Sequence, residues 1–280
     1  MKDERPNILL IVSDQHHAEA MGCRSAPTGL RTPNLDRLAR QSTLFTHAYT
    51  ASPVCVPARN AMFSGQYPHQ TGIECNRSHP RNPSPDRPPG GTPLPTDIRG
   101  MGTWFAEAGY DTAYFGKWHL NFPMTSHDHH GFALADVLNN TGHDPEIAAA
   151  AARYLKAPHD RPFLAVASFC DPHDVCQWAD GRSLPGGVLP TPPSPAELPP
   201  VPVNVAPTRD GGDILEDLRL AYRQVHVPQE VDTAEGVRRC RELAWGYHRL
   251  IERMDTHLGT VLEALRESGN EENTVVVYTS

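Results

Sequence analysis

Apolar residues fall into two kinds of run along this chain. Ile8-Leu9-Leu10-Ile11-Val12 is continuous, and Phe163 to Phe169, broken only by Ser168, and Thr274-Val275-Val276-Val277-Tyr278 are nearly so. Uninterrupted β-rich runs of this length predict strands buried on both faces, the signature of a parallel sheet. Asp111 to Phe115 reads as a further strand running into Gly116-Lys117-Trp118-His119. Between these runs the apolar spacing turns helical. Thr32 to Gln41 has Thr as a predicted cap and Pro in the first turn, and Leu35, Leu38 and Ala39 share one face. Pro57 to Phe63 is a shorter helix entered through proline, a third ends at Ala108 before Gly109, and Ile147 to Lys156 is alanine-rich. Thr233 to Ser268 carries Leu243, Tyr247, Leu250, Ile251, Met254, Leu258, Val261 and Leu265 at helical spacing.

Strands alternating with helices predict an α/β fold with a mostly parallel central sheet and helices on both faces. Ligands of such sheets bind at the carboxyl ends of the strands. Three predicted strand ends carry reactive side chains: Asp14 and Gln15, then Lys117 and His119, then His173. That convergence alone predicts one polar site. Two stretches punctuate the pattern, the Pro, Arg and Gly-rich 76–96 and the Pro-rich 183–207, and both read as surface loops.

Composition narrows the picture. The chain has 280 residues, 6 Cys and a formal net charge of -8. Six cysteines over this length are too sparse for a disulfide-stapled scaffold. The acidic balance argues against a nucleic-acid partner, which would require a basic face. No apolar run approaches the roughly 18 residues of a membrane span. The charged Met1 to Pro6 and the short run Ile8 to Val12 do not make a secretory leader, so a cytoplasmic protein is expected. Of the 25 basic residues only Lys2, Lys117 and Lys156 are lysines. A lysine placed directly after a buried strand against that arginine bias calls for a reason.

Cys55-Val56-Pro57-Ala58-Arg59 stands where a loop enters a helix. Free backbone N–H groups and the positive end of the helix dipole favour a nucleophile or an anion there, and Arg59 adds a fixed charge one turn on. An ordinary buried thiol is the plain alternative for Cys55. His127-Asp128-His129-His130 has the look of a metal tract but no partner cluster, and is expected to be a polar loop. Cys170 and Cys176 lack a C-x-x-C pattern and do not predict a zinc site.

Pro53 to Arg59 with the following Ser64-Gly65, together with Gly109 to His119, resembles the two signature segments of the type I sulfatases of the alkaline phosphatase superfamily. Asn7 to Gln15, Asp171-Pro172-His173 and the last helix–strand unit are similar to that family in order and spacing. The resemblance implies that Cys55 is converted to formylglycine by a maturation enzyme, and that its hydrate attacks sulfur and is later regenerated as the aldehyde. It implies a divalent metal, Ca²⁺ in the first instance, held by Asp14, Gln15 and the modified Cys55. Gln15 stands where many members carry a second Asp. Arg59 would steady residue 55 and the metal-side carboxylates, and His119 would bond the formylglycine hydroxyl. Lys117 and His173 would bind sulfate oxygens, with His173 protonating the leaving oxygen, and Asn76 would approach the sulfate.

The implied substrate is a small anionic sulfate ester. Two other readings stay open. One is a phosphonate monoester or phosphodiester hydrolase of the same superfamily, against which the Lys117/His119 pair speaks. The other is an inactive, truncated sulfatase-like fragment. The resemblance makes residues 1–280 the catalytic portion, with the last metal ligands, a further sulfate-binding Lys and a smaller C-terminal subdomain absent. Expressed alone, the chain is therefore expected to have little or no sulfatase activity.

Overall fold

The computed structural model describes residues 4–24, 29–76, 93–139, 143–201 and 233–280. Most of the predicted loop 76–96, and the end of 183–207, lie outside the described residues. In chain order the elements are β1 (Asn7–Asp14), α1 (Pro33–Arg40), α2 (Cys55–Ser64), α3 (Pro68–Thr71), α4 (Met101–Glu107), β2 (Asp111–Lys117) and α5 (His127–His130). Then follow β3 (Leu134–Asn139), α6 (Asp144–Lys156), β4 (Phe163–Pro172), α7 (Val175–Ala179), α8 (Ala234–Glu267) and β5 (Thr274–Thr279). The five strands form one parallel sheet in the order β3-β2-β4-β1-β5.

The apolar runs sort by parity, because successive strand residues point to opposite faces. Leu9, Ile11, Ala113, Phe115, Ala165, Ala167 and Phe169 pack on one face against α6 and α8. Leu10, Val12, Tyr114, Leu164 and Val166 pack on the other with Val56 and Phe63 of α2. Both faces are thus covered, as the continuous runs require. β4 is buried along its whole length because it lies at the centre of the sheet. The predicted apolar face of α8 is the buried one from Leu250 to Leu265. Gly116 near the end of β2 has φ 100°, and a Cβ there would lie 2.2 Å from Ser168 O, so only glycine lets β2 and β4 run this close.

Several expectations need correction. β5 was expected to be buried on both faces, yet Val275 and Val277 are exposed while Val276 and Tyr278 meet the core. The strand is at the sheet edge, and among the described residues nothing covers its second face. β3 escapes the sequence reading because Leu134-Ala135-Asp136 is neither an apolar run nor a clean alternation, and only pairing with β2 makes it a strand. Thr32 precedes α1 but does not cap it through its side chain. Its Oγ1 accepts from Gly22 N at 2.7 Å and donates to Asp36 Oδ1 at 2.8 Å, tying the preceding loop to the helix.

The histidine tract is not a polar loop but the short helix α5, with His130 buried edge-on to Trp118. Phe132 N donates to His130 Nδ1 at 3.0 Å, which leaves Nε2 to donate to Met124 O at 3.1 Å. Burial, with His127 and His129 nearby, lowers the His130 pKa from 6.5 to about 4, against the opposing pull of the Met124 bond. The unfolded chain therefore takes this proton first. Stability is intact above pH 6.5 and is lost as the pH falls toward 4. Urea unfolding across this range should show a shallower acid decline for His130→Gln, by on the order of 2 kcal/mol. Parallel pH profiles for the two proteins would remove His130 from the effect.

Candidate active site

Parallel pairing puts the carboxyl ends of β1, β2 and β4 at one edge of the sheet. The register sets Asp14 beside Pro172 and Gly116 beside Ser168. Asp14, Lys117 and His173 consequently meet, although 159 positions separate the first from the last. Helix α2 points its first turn at the same place and opens with Cys55 itself. The side-chain ligand atoms of Asp14, Cys55 and His173 all lie within 4.8 Å of one another.

No side chain of α2's own entry caps it. Asn76 does so from a distance: its Oδ1 accepts from Val56 N at 2.8 Å, and its side chain also bonds Cys55. Deeper in the helix, Asn60 Nδ2 donates to Val56 O at 2.8 Å and to Asn121 Oδ1 at 2.9 Å, and Asn121 N returns a bond to Asn60 Oδ1 at 2.9 Å. These asparagines fasten α2 to the segment that follows Lys117.

Arg59 is buried beneath the site. Its Nε donates to Trp118 O at 3.0 Å, and its Nη2 faces Lys117 O at 2.6 Å, Tyr114 Oη at 2.7 Å and Ser168 Oγ at 2.6 Å. The sequence reading aimed this guanidinium at residue 55 and the carboxylates. Its hydrogen bonds instead hold the turn that carries Lys117 and His119, and only its charge reaches Asp14 and Cys55.

Lys117 is 1% exposed and pairs with Asp14 Oδ2. Burial works to raise the Asp14 pKa, but Lys117, His173 and Arg59 together outweigh it and hold the carboxyl below its usual range. Burial and the Asp14 charge push the Cys55 thiol up, against Lys117, Asn76 and Arg59. A helix N-terminus commonly lowers a thiol pKa. Here burial wins, so an unmodified Cys55 is a protonated and weak nucleophile. His119 sits in a left-handed conformation at φ 50°. Burial first, then Lys117 and Arg59, drives its pKa to about 3. Its ring is a neutral imidazole at ordinary pH.

Gln15 is placed differently from the other predicted residues. It is exposed at the rim with φ 67°. Tyr247 Oη donates to its backbone carbonyl at 2.6 Å and accepts from His17 N at 2.7 Å. The Gln15 side-chain oxygen faces Cys176 Sγ at 4.0 Å.

Sequence reasoning missed the residues that hold the end of β4, just before His173. Asp144 accepts from Cys170 N at 2.8 Å and Asp171 N at 2.9 Å. The Asp171 carboxylate takes both Arg253 Nε at 2.6 Å and Nη2 at 3.1 Å. Arg253 comes from α8 and also donates to Gly187 O at 3.1 Å. Asp171 was visible in the Asp-Pro-His segment. Nothing in the helical pattern of α8 singles out Arg253.

A parallel α/β sheet gathers a carboxylate, a buried lysine, two histidines and a helix-borne cysteine into one polar centre at its carboxyl edge. The chain belongs to the sulfatase family, whose model matches residues 6–280. An ulvan-active sulfatase of Formosa agariphila is 29% identical over 314 residues, covering 99% of this chain and 50% of its own length. A solved 2-O GAG sulfatase superposes with a TM-score of 0.70 at 24% identity, over 98% of this chain and 57% of that one. The phosphonate monoester hydrolase of Agrobacterium radiobacter shares the fold with a TM-score of 0.66 at 20% identity, over 98% and 62%. The chain thus spans about half to three-fifths of the length of these relatives. Among the described residues no helix is long and apolar enough to cross a membrane.

Proposed function

We propose that the protein hydrolyses a sulfate monoester, with residue 55 as the nucleophile after conversion of Cys55 to formylglycine. The observation that carries this reading is the meeting of Cys55, Asp14 and His173 within 4.8 Å at the N-terminus of α2. The high thiol pKa supports a nucleophile other than the cysteine itself. The donor set supports a hard divalent cation such as Ca²⁺ in part: the Asp14 carboxylate and the oxygens of a hydrated formylglycine are hard ligands, and the exposed Gln15 side-chain oxygen would have to swing inward. When bound, such a cation neutralises charge on the ester and on residue 55.

The chain's own residues supply the rest. Lys117, anchored on Asp14, presents a fixed positive charge to the sulfate oxygens. His173, within 4.8 Å of Cys55 and Asp14, binds a sulfate oxygen and delivers a proton to the leaving oxygen. His119, held neutral, accepts a proton from the hydroxyl of residue 55. Asn76 orients the first turn of α2, and Arg59 fixes the Lys117–His119 turn. A maturation enzyme that recognises the Cys55 segment is the partner this reading requires.

The test is peptide mass spectrometry of the Cys55 peptide after co-expression with a formylglycine-generating enzyme. Conversion makes that peptide about 18 Da lighter; a thiol that stays unmodified removes the nucleophile and overturns the proposal. The shared fold of the phosphonate monoester hydrolase makes substrate choice the second arm. Turnover by the converted protein should favour a sulfate monoester over a phosphodiester, and the opposite preference would assign it to that chemistry.

A further inference from the structure

Three different donor types meet at the floor of this site. A carboxylate oxygen, a thiol sulfur and an imidazole nitrogen come within 4.8 Å of one another at Asp14, Cys55 and His173. Calcium-type cations take oxygen and do not select sulfur or nitrogen. The same trio is well matched to zinc, which binds Cys sulfur at about 2.3 Å, His nitrogen at about 2.0–2.1 Å and carboxylate oxygen at about 2.0–2.2 Å. Tetrahedral angles at those lengths set ligand atoms roughly 3.4–3.6 Å apart. The three atoms therefore need to close by little more than an ångström, within the reach of side-chain rotation at a helix start and a strand end.

We propose that the unmodified chain binds a thiophilic divalent cation, of the zinc class, through Asp14 Oδ, Cys55 Sγ and His173. The Cys55 S–H proton leaves to solvent as the sulfur–metal bond forms, and the fourth tetrahedral position stays open to water. Lys117 opposes the added charge, but it engages Oδ2 of Asp14 and leaves that carboxylate a second oxygen. The consequence rests on the reading of residue 55 given above. Conversion removes the one soft ligand and puts oxygen in its place, so the site changes its preference from a zinc-like to a calcium-like cation.

The experiment uses the chain made without a maturation enzyme, with Co²⁺ as the spectroscopic probe and Zn²⁺ as competitor. Co²⁺ is expected to give a near-ultraviolet thiolate charge-transfer band that Zn²⁺ abolishes. The band should vanish in Cys55→Ser. In His173→Ala, and in the bulkier His173→Gln as a check on folding, affinity should fall by about tenfold or more. Zn²⁺ should also slow alkylation of Cys55, read by peptide mass spectrometry, while the exposed Cys23 and Cys75 react at unchanged rates. A band that survives Cys55→Ser, or is lost instead in Cys176→Ser, would overturn the assignment. So would Cys55 alkylation indifferent to Zn²⁺, or unchanged affinity in both His173 variants. No ester is involved, so these outcomes are independent of whether the converted protein hydrolyses sulfate.

Discussion

Replacing Arg59 by Leu is expected to cost on the order of 4 kcal/mol of folding stability. The guanidinium is 4% exposed and its donors face Trp118 O, Lys117 O, Tyr114 Oη and Ser168 Oγ. Leucine fills part of the volume but donates nothing. Two backbone carbonyls at the end of β2 would remain in the interior with fewer partners, at about 1–3 kcal/mol for each group left unsatisfied. Tyr114 Oη still donates to Lys117 O at 2.5 Å, which limits the loss. Arg59→Lys should recover little, because one ammonium cannot span acceptors that lie on both β2 and β4. Urea unfolding of the three proteins checks this. A loss under about 1 kcal/mol for the leucine variant would mean that water replaces the guanidinium and that Arg59 does not hold the turn.

Lys117→Met should be comparably severe and should change the pH dependence. The substitution strands the Asp14 carboxylate in the interior without its main counter-charge. Removing one partner of a buried pair commonly costs about 3–5 kcal/mol. Replacing both, as in Asp14→Asn with Lys117→Met, should recover more than half of that loss, because no uncompensated charge remains. In the wild type the Asp14 pKa is held below the ordinary aspartate value of 3.8. Its stabilising contribution is therefore present above pH 3.8 and lost as the pH falls through the folded pKa. Without Lys117 the burial that works to raise this pKa meets less opposition, and the sign reverses. The stability deficit of the single variant relative to the double variant should be larger at pH 7 than at pH 5, the buried histidines acting equally on both. Chemical unfolding at the two pH values reads both. An equal deficit at pH 5 and 7 would show that Asp14 finds another counter-charge.

Much of the site was legible in the sequence because its residues sit at boundaries between local structures. Asp14, Lys117 and His173 each terminate or follow an apolar run, and Cys55 opens a helix marked by Pro57. The supporting residues carry no such mark. Arg253 lies in the middle of a 34-residue helix among many arginines, and only the approach of α8 to the end of β4 gives it Asp171. Asn76 lies in a stretch that reads as loop, yet its amide caps a helix 20 positions earlier. Gln15 was assigned from its place in the chain, whereas its left-handed backbone and its bond from Tyr247 leave the side chain at the rim.

Periodicity alone marks β1, β2, β4 and β5 with the helices α1, α2, α6 and α8, and shows which polar residues stand at their ends; β3 and α5 carry no such mark. Burial on both faces demands an unbroken apolar run, and burial on one helix face demands a stripe. That β4 lies between β1 and β2, with β5 left at the edge, emerges only from long-range packing. Pairing between strands far apart in the chain depends on how α6 and α8 cover one face and α2 the other, a property of the whole core. That strand order brings Asp14, Lys117 and His173 around Cys55, and with it come the burial and mutual charge that set the protonation of each group.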